Sequence, residues 1–462
     1  MRKEAEMPEV GTDKRLRQFA EQYGTPLYVY DGDWIERQYR RLKSCLPEPF
    51  EVFYSAKCNP LLGICQLLRR LGSSMEIASA GELHVALAAG FPPSSIVWTS
   101  PGKTERELAA AIDKEIYSIN VESVTEARTI SRLAEAKGTT VRISARINPD
   151  FHAAGAGLKM TGVPTQFGID QGTAEAALKE IAALPGIELI GLHVFTGSQV
   201  LDAGVLAETM EQIIRLALSL SEAVGIRLQF LDLGGGFGVP YFPGEQPLDC
   251  DLLKRELAAI WSRYAESLAG VRIGVESGRF LLAEAGTFLT RVLDVKSCKG
   301  TKFAVCDGGS NQHAASAFLG RYVRNNFPMR LVAAAEESAS LHDHSDGSEE
   351  RVLAAAGSAY SLPGEEAKEE LTVVGPLCTP TDVIGQKVRL SPPMPGDFLA
   401  VECSGAYGLT HSPALFLSHS LPAEVLHYEG EDHVLRERGE AEDFLRGQNG
   451  IGCREEDRVI HV

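Results

Sequence analysis

The chain is predicted to be an α/β protein, a (β/α)8 TIM barrel joined to a second, mainly β-barrel domain. From about residue 50 to 276, short β-branched or apolar runs alternate with amphipathic stretches, the signature of βα units. Eight such runs fall within roughly 230 residues, close to the size of about 250 usual for this barrel. After residue 286 the alternation stops, and strand-like runs follow without regular helices between them.

In order, the barrel strands are "EVFYSA" (51–56), "SMEIAS" (74–79), "SIVWTS" (95–100), "IYSINV" (116–121), "VRISARI" (141–147), "ELIGLHV" (188–194), "LQFLDLG" (228–234) and "VRIGVES" (271–277). Between them, "AGELHVALAAG" and "AETMEQIIRLALSLSEAVG" carry apolar residues at three and four spacing, as a helix with one buried face requires. A doubly wound sheet fits the same alternation. Beyond 286, "TFLTRVLDVKS", "KFAVCDGG", "ELTVVGPLC", "DFLAVEC" and "AEVLHY" read as strands. The expected organisation is a segment 1–45 that lends "PLYVYD" to the β domain, a barrel over 46–285, a β domain over 286–430 and a charged tail over 431–462. Residues 336–370, polar and acidic with Gly, Ser and Pro, read as a flexible insertion.

Composition narrows the function. The 462 residues carry a net charge of −17, which argues against a surface built to hold nucleic-acid phosphates and favours a small-molecule or protein partner. No apolar stretch approaches the roughly 20 residues of a membrane span. The opening "MRKEAEMPEVGTDKRLRQFAEQYG" is charged and lacks the apolar core of a secretory signal, so a cytoplasmic location is expected. Nine cysteines, with no CxxC pair and no zinc spacing, point to reduced thiols and no metal site.

Active sites of such barrels lie at the C-terminal strand ends, and the residues there are chemically coherent. Strand 1 ends at Lys57, strand 2 holds Glu76, strand 5 carries Arg146 and Asn148, strand 6 ends at His193, strand 7 at Gly234, Gly235 and Gly236, and strand 8 at Glu276. A lysine made less basic by apolar walls or by another cation attacks an aldehyde, so Lys57 suggests a Schiff base; a snorkelling lysine is the plain alternative. Three glycines after an apolar strand let backbone N–H groups surround a phosphate, although a tight turn explains them equally well. "VESGRF" adds Gly278 beside Arg279 at the next strand end. Together these point to pyridoxal phosphate, with Glu276 facing the pyridine nitrogen so that the ring withdraws electrons from the substrate Cα. The alternatives are an ion pair of Glu276 with Arg279, and for His193 a core histidine in place of one stacked on the ring.

The motifs "FYSAKCNP", "EIASAGEL", "PGKT", "ARINPD", "QFGID", "GLHVFTGSQ", "LDLGGGFGVPY", "VESGRF", "GPLCTPTD" and "GAYG" resemble, in order, those of the fold-type III PLP decarboxylases that act on diaminopimelate, ornithine and arginine. The resemblance covers about residues 25 to 428 and implies an alanine racemase-like barrel. It implies that Lys57 holds pyridoxal 5'-phosphate, that His193 stacks on it, and that Glu276 meets its ring nitrogen. Glu76 and Arg146 join the cofactor set. Ser198, Gly234 to Gly236, Gly278, Arg279 and Tyr407 would bind the phosphate. Cys378 resembles the cysteine that reaches in from the second subunit of a homodimer and protonates Cα after CO2 leaves.

Two departures bear on the substrate. Thr379 follows Cys378 where diaminopimelate and ornithine decarboxylases place a carboxylate for the distal amine, which leaves Asp382 as a substitute. "DGGSNQHAAS" lacks the arginine that diaminopimelate decarboxylases place nearby, and His313 and Arg321 are the remaining substrate candidates. "LKMTGVPTQFGI", the "CTPTD" string and "GFGVPYFPGEQPLD" resemble a branch with the glutamyl-carrier-protein decarboxylase of butirosin biosynthesis and with siderophore and exosortase-associated decarboxylases. That branch implies a conjugated or carrier-tethered amino acid. Arg321, Arg324 and Arg330 would form a basic patch for an acidic acyl or peptidyl carrier, or a solvated helix face. An amino-acid racemase or epimerase on the same barrel and a noncatalytic PLP carrier are the rival activities.

Overall fold

The computed structural model describes residues 9–153, 155, 158–159, 161–317, 326–334 and 368–449. Eight parallel strands form the barrel: Phe50–Ser55, Ser74–Ile77, Ile96–Thr99, Ser118–Val121, Val141–Asn148, Ile187–His193, Phe230–Asp232 and Arg272–Ser277. Each pairs with the next, and the eighth returns to the first with Ile273 opposite Phe50 and Glu276 opposite Phe53. Closure leaves no sheet edge and rules out the doubly wound arrangement.

Alternation along the strands decides what faces the axis. Val52 and Tyr54 pack in the large core shared with the helices, whereas Phe53 joins Val97, Ile190 and Phe230 in a separate cluster drawn from strands 1, 3, 6 and 7. That cluster fills the barrel's middle. Beside and above it, Glu276 pairs with Phe53, Glu76 with Val97, and Asp232, two residues beyond Phe230, with His193.

The helices are set by caps and by one apolar face. Ser79, Thr104, Ser123, Asp170, Asp202 and Asp249 each accept a backbone N–H at a helix start, a contribution of about 1 kcal/mol apiece. In Ala203–Val224, Leu206, Met210, Ile213, Ala217 and Leu220 are buried at helical spacing, and Gly225 stops the helix with φ +75°. Among the described residues, no helix is long and apolar enough to cross a membrane.

A second sheet is organised around the long strand Gly286–Cys298, which pairs antiparallel with Leu27–Asp31, Thr301–Cys306 and Phe398–Val401. Leu27–Asp31 also runs parallel to Ala423–Tyr428, so the chain's N-terminal strand lies inside this sheet. Leu27, Val29, Leu289, Phe398 and Val425 form its core with Leu16 and Phe19 of the helix Asp13–Tyr23. The charged residues after 430 are not all tail. Glu431–Arg436 pairs back on Ala423–Tyr428 across a hairpin turn in which Glu429 and Gly430 both take positive φ. Largely exposed, this edge strand shows no apolar alternation for a sequence reading to find. Of the expected insertion, residues 336–367 lie outside the described residues, while Glu369–Val374 is a strand.

Candidate active site

Strand 1 stops at Ser55, and Lys57 rises from a single tight turn, Ala56–Cys58, so its side chain stands at the rim. Nζ lies 3.1 and 3.3 Å from the two carboxylate oxygens of Glu76, which is buried, and 5.6 Å from the centre of the Phe195 ring. Burial pulls the ammonium's pKa down, but the neighbouring acidic groups, Glu76 foremost, outweigh it and hold the pKa above the ordinary lysine range. This corrects the sequence expectation of a lysine made less basic by its walls: in the ligand-free protein the Glu76 carboxylate keeps Lys57 charged.

His193 is fully buried, with Nε2 3.4 Å from Oε1 of Glu276. Burial, then the cations of Arg146 and Lys57, push its pKa well below the usual value, so the ring is neutral. Glu276 is displaced the other way by burial and by Glu76 and Asp232, and without a ligand its carboxyl keeps its proton well above the ordinary range. Asp232 beside it is raised to about 7 by burial, against the Gly234 N–H that it accepts at 2.9 Å. Within "LDLGGG" the sequence marks no role for Asp232; the barrel register, which pairs it with His193 of strand 6, is what brings it into the site.

The glycine run serves packing as well as access. A Cβ on Gly234 would stand 2.4 Å from the Val194 carbonyl oxygen, and one on Gly235 would stand 2.1 Å from that of Glu276. Among the described residues, the N–H groups of Gly235 and Gly236 donate to no protein acceptor. Gly236 also abuts the Gly197 carbonyl, one residue before Ser198. At the next strand end, Gly278 packs on Cys58, and Arg279 donates to the Tyr241 hydroxyl at 3.0 Å with its guanidinium 4.8 Å from the Tyr407 ring. No ion pair of Arg279 with Glu276 occurs among the described residues. Tyr407 comes from the second sheet, yet its N–H donates to the Cys58 carbonyl at 2.9 Å, locking that loop onto the turn that carries Lys57. Arg146, opposite His193 on the neighbouring strand, is paired with Glu122 at 3.0 Å.

The substrate candidates fare differently. Asp382 is buried and both oxygens are engaged: Oδ1 accepts the Ser310 N–H at 2.7 Å and Oδ2 the Leu377 N–H at 2.8 Å. It braces its loop and has no oxygen free for a substrate amine. His313 is fully buried; Nδ1 accepts the Ser316 N–H, so Nε2 carries the proton and donates to the Ser404 hydroxyl at 2.8 Å. It is a core histidine, packed on Tyr28 and Phe288. Arg321 and Arg324 lie outside the described residues. Arg330 is spent on Asp13, Glu402 and the Gly11 carbonyl, anchoring the first helix, and leaves no free cation for a carrier. Cys378 is exposed and Thr379 beside it partly so, and among the described residues no hydrogen bond or ion pair joins either to the Lys57 cluster of its own chain.

Among the described residues, buried atoms that bond to nothing outside their own cluster mark the centre of the site: both ring nitrogens of His193, Oε1 of Glu276 and Oδ2 of Asp232. Each is costly if left unpaired, by about 1–3 kcal/mol. With the Lys57 amine at the rim and the free N–H groups of Gly235 and Gly236, this donor set fits a planar heterocycle bearing an aldehyde, a ring nitrogen and a phosphate. His193, Asp232 and Glu276 also bring ligand atoms within 4.8 Å of one another, a grouping the sequence spacing did not suggest.

Comparison with known proteins agrees with this chemistry. Residues 33–283 match the model of the pyridoxal-dependent decarboxylase pyridoxal-binding domain. The L-glutamyl-[BtrI acyl-carrier protein] decarboxylase of Niallia circulans is 38% identical over 92% of this chain and 94% of its own length. The diaminopimelate decarboxylase of Methanothermobacter thermautotrophicus is 32% identical over 94% and 93%. Among solved structures, a Helicobacter pylori diaminopimelate decarboxylase variant complexed with L-lysine superposes with a TM-score of 0.78, at 28% identity, over 93% of this chain and 98% of that one. The chain belongs to the pyridoxal-dependent decarboxylase family. It is a PLP-dependent amino-acid decarboxylase, and its cofactor is pyridoxal 5'-phosphate.

Proposed function

We propose that this enzyme removes the α-carboxylate of an amino acid presented as a conjugate, foremost a glutamyl-type residue tethered to an acyl carrier protein. The observation that carries the reading is the near full-length similarity to a carrier-protein glutamyl decarboxylase. The loop beside Cys378 supports it. Thr379 is neutral and Asp382 is bound on both oxygens, so that stretch offers no free carboxylate to a distal ammonium.

When bound, the cofactor accepts the electron pair left at Cα as CO2 departs. The chain's residues do the rest. Lys57 binds the cofactor covalently and, with Glu76 nearby, is held as a charged amine until then. Glu276 would meet the ring nitrogen and share its proton, and the neutral His193 would pack on the ring face. The N–H groups of Gly235 and Gly236, with Ser198, Gly278, Arg279 and Tyr407, would hold the phosphate. Cys378 returns a proton to Cα. Being exposed, and in no contact with the Lys57 cluster among the described residues, it is assigned to the site of a second copy in a homodimer.

The test is CO2 release by the PLP-loaded enzyme on carrier-tethered and conjugated amino acids against free diaminopimelate, lysine, ornithine and arginine. Turnover of conjugates alone is expected. Turnover of free diaminopimelate at a comparable kcat/KM would replace this reading with the lysine-biosynthetic one, in keeping with the relative at 32% identity.

A further inference from the structure

The loop that leaves strand 7 is clamped twice. After the glycine run, the Gly238 N–H donates to the Val200 carbonyl at 2.9 Å. The Gln199 side chain then binds both backbone groups of Val239, accepting its N–H at 3.2 Å and donating to its carbonyl. Two residues on, the Glu245 carboxylate accepts the N–H groups of Tyr241 and Phe242 at 2.8 and 3.0 Å. Tyr241 itself is buried, its ring edge-on to Phe327, which leads into the second-sheet strand Met329–Val332. With its backbone clamped and its ring packed, the Tyr241 hydroxyl is held in place.

What that hydroxyl holds is Arg279. Nη1 donates to it at 3.0 Å, and the guanidinium carbon lies 5.6 Å from the centre of the Tyr241 ring and 4.8 Å from that of Tyr407. Among the described residues no carboxylate pairs with Arg279, and its Nε is buried without a partner. The groups that face it are the phenols of Tyr241 and Tyr407 and the thiol of Cys58, all kept neutral by burial. A guanidinium flanked by rings and met only by neutral groups keeps its charge for an anion. Its five N–H donors form a planar fork, so tying one Nη fixes where the rest of the fork points.

We propose that Tyr241 is a positioning residue for cofactor binding: by holding Nη1 of Arg279 it sets the guanidinium fork that grips the cofactor's phosphate. The inference rests on the reading that Arg279 holds the phosphate, and it names the residue through which the loop after strand 7 acts on that grip. Without the hydroxyl, the long arginine side chain must be ordered at the moment the phosphate arrives, which weakens binding. The effect is confined to ligands that carry a phosphate, because the hydroxyl acts through the arginine.

The experiment compares binding of PLP and of pyridoxal, which lacks the phosphate, to the full-length protein freed of cofactor, read by the visible absorbance of the lysine-bound aldehyde. Tyr241→Phe is expected to weaken PLP about tenfold, the scale of one charge-assisted hydrogen bond, and to leave pyridoxal unchanged. Arg279→Ala is expected to weaken PLP at least as much. Adding Tyr241→Phe to Arg279→Ala should then cost less than about twofold more, the two changes removing one shared interaction. Equal losses for PLP and pyridoxal in Tyr241→Phe would overturn the proposal in favour of a packing role. So would unchanged PLP affinity in that variant while Arg279→Ala binds weakly. Unchanged PLP affinity in Arg279→Ala would overturn the phosphate reading of Arg279, and the role of Tyr241 with it.

Discussion

The barrel mouth and the loop around Cys378 handle polar groups in opposite ways. At the mouth, buried atoms of His193, Asp232 and Glu276 bond to nothing outside their own cluster, around a lysine kept charged by Glu76. In the loop, the buried carboxylate of Asp382 is saturated by backbone N–H groups while Cys378 is open to solvent. One region is prepared for a ligand and the other is braced as a support. An exposed thiol beside a braced carboxylate is what the proposed sharing of Cys378 with another copy requires.

The largest test of that contrast is Lys57→Ala, which is expected to abolish CO2 release and the visible absorbance of the lysine-bound cofactor while the fold survives. Retained absorbance would move the attachment point elsewhere. Cys378→Ala is expected to keep that absorbance and lower kcat by roughly 10²-fold, the scale of a positioned proton donor. Mixing the two variants after subunit exchange then asks where Cys378 acts. If it serves the partner's site, half the dimers regain one intact site, and activity rises to about a quarter of wild type. No recovery would assign Cys378 to its own chain or to no site.

Asp382→Asn tests the braced side. Weakening two charge-assisted bonds is expected to cost about 1–3 kcal/mol of stability, read by denaturant unfolding, with the preference among substrates unchanged. A shift in substrate preference without loss of stability would restore Asp382 as a binding residue. The smallest effect concerns Asp232 in the cofactor-free protein. Its pKa is raised to about 7, above an unfolded value of about 3.9, so the folded state binds the extra proton between these limits. Its contribution is full below about pH 4 and is lost as pH rises through about 7. Asp232→Asn removes that titration, and the thermal midpoint of the cofactor-free variant should fall less steeply than wild type over this range. Identical slopes would mean that Asp232 is ionised in the fold.

Much of the site was legible because barrel strands end where the chemistry is. Lys57, Glu76, His193 and Glu276 each close or flank an apolar run, and the glycines after "LDL" advertise a close backbone approach that the structure realises at Gly234 and Gly235. Asp382 and His313 stand out in the sequence for one shared reason, and the structure shows both already partnered. A polar residue near a motif looks functional in a sequence, and only the fold reveals backbone N–H groups of Ser310 and Leu377, or the hydroxyl of Ser404, already bound to it.

The sequence by itself determined the barrel, its eight strands, the lysine and the resemblance that implies PLP, because apolar periodicity and motif order are local properties of the chain. The tertiary structure alone decided the charge of Lys57, the proton on Glu276 and the saturation of Asp382. Each depends on groups far apart in the chain and close in space, where burial and neighbouring charge set the energies.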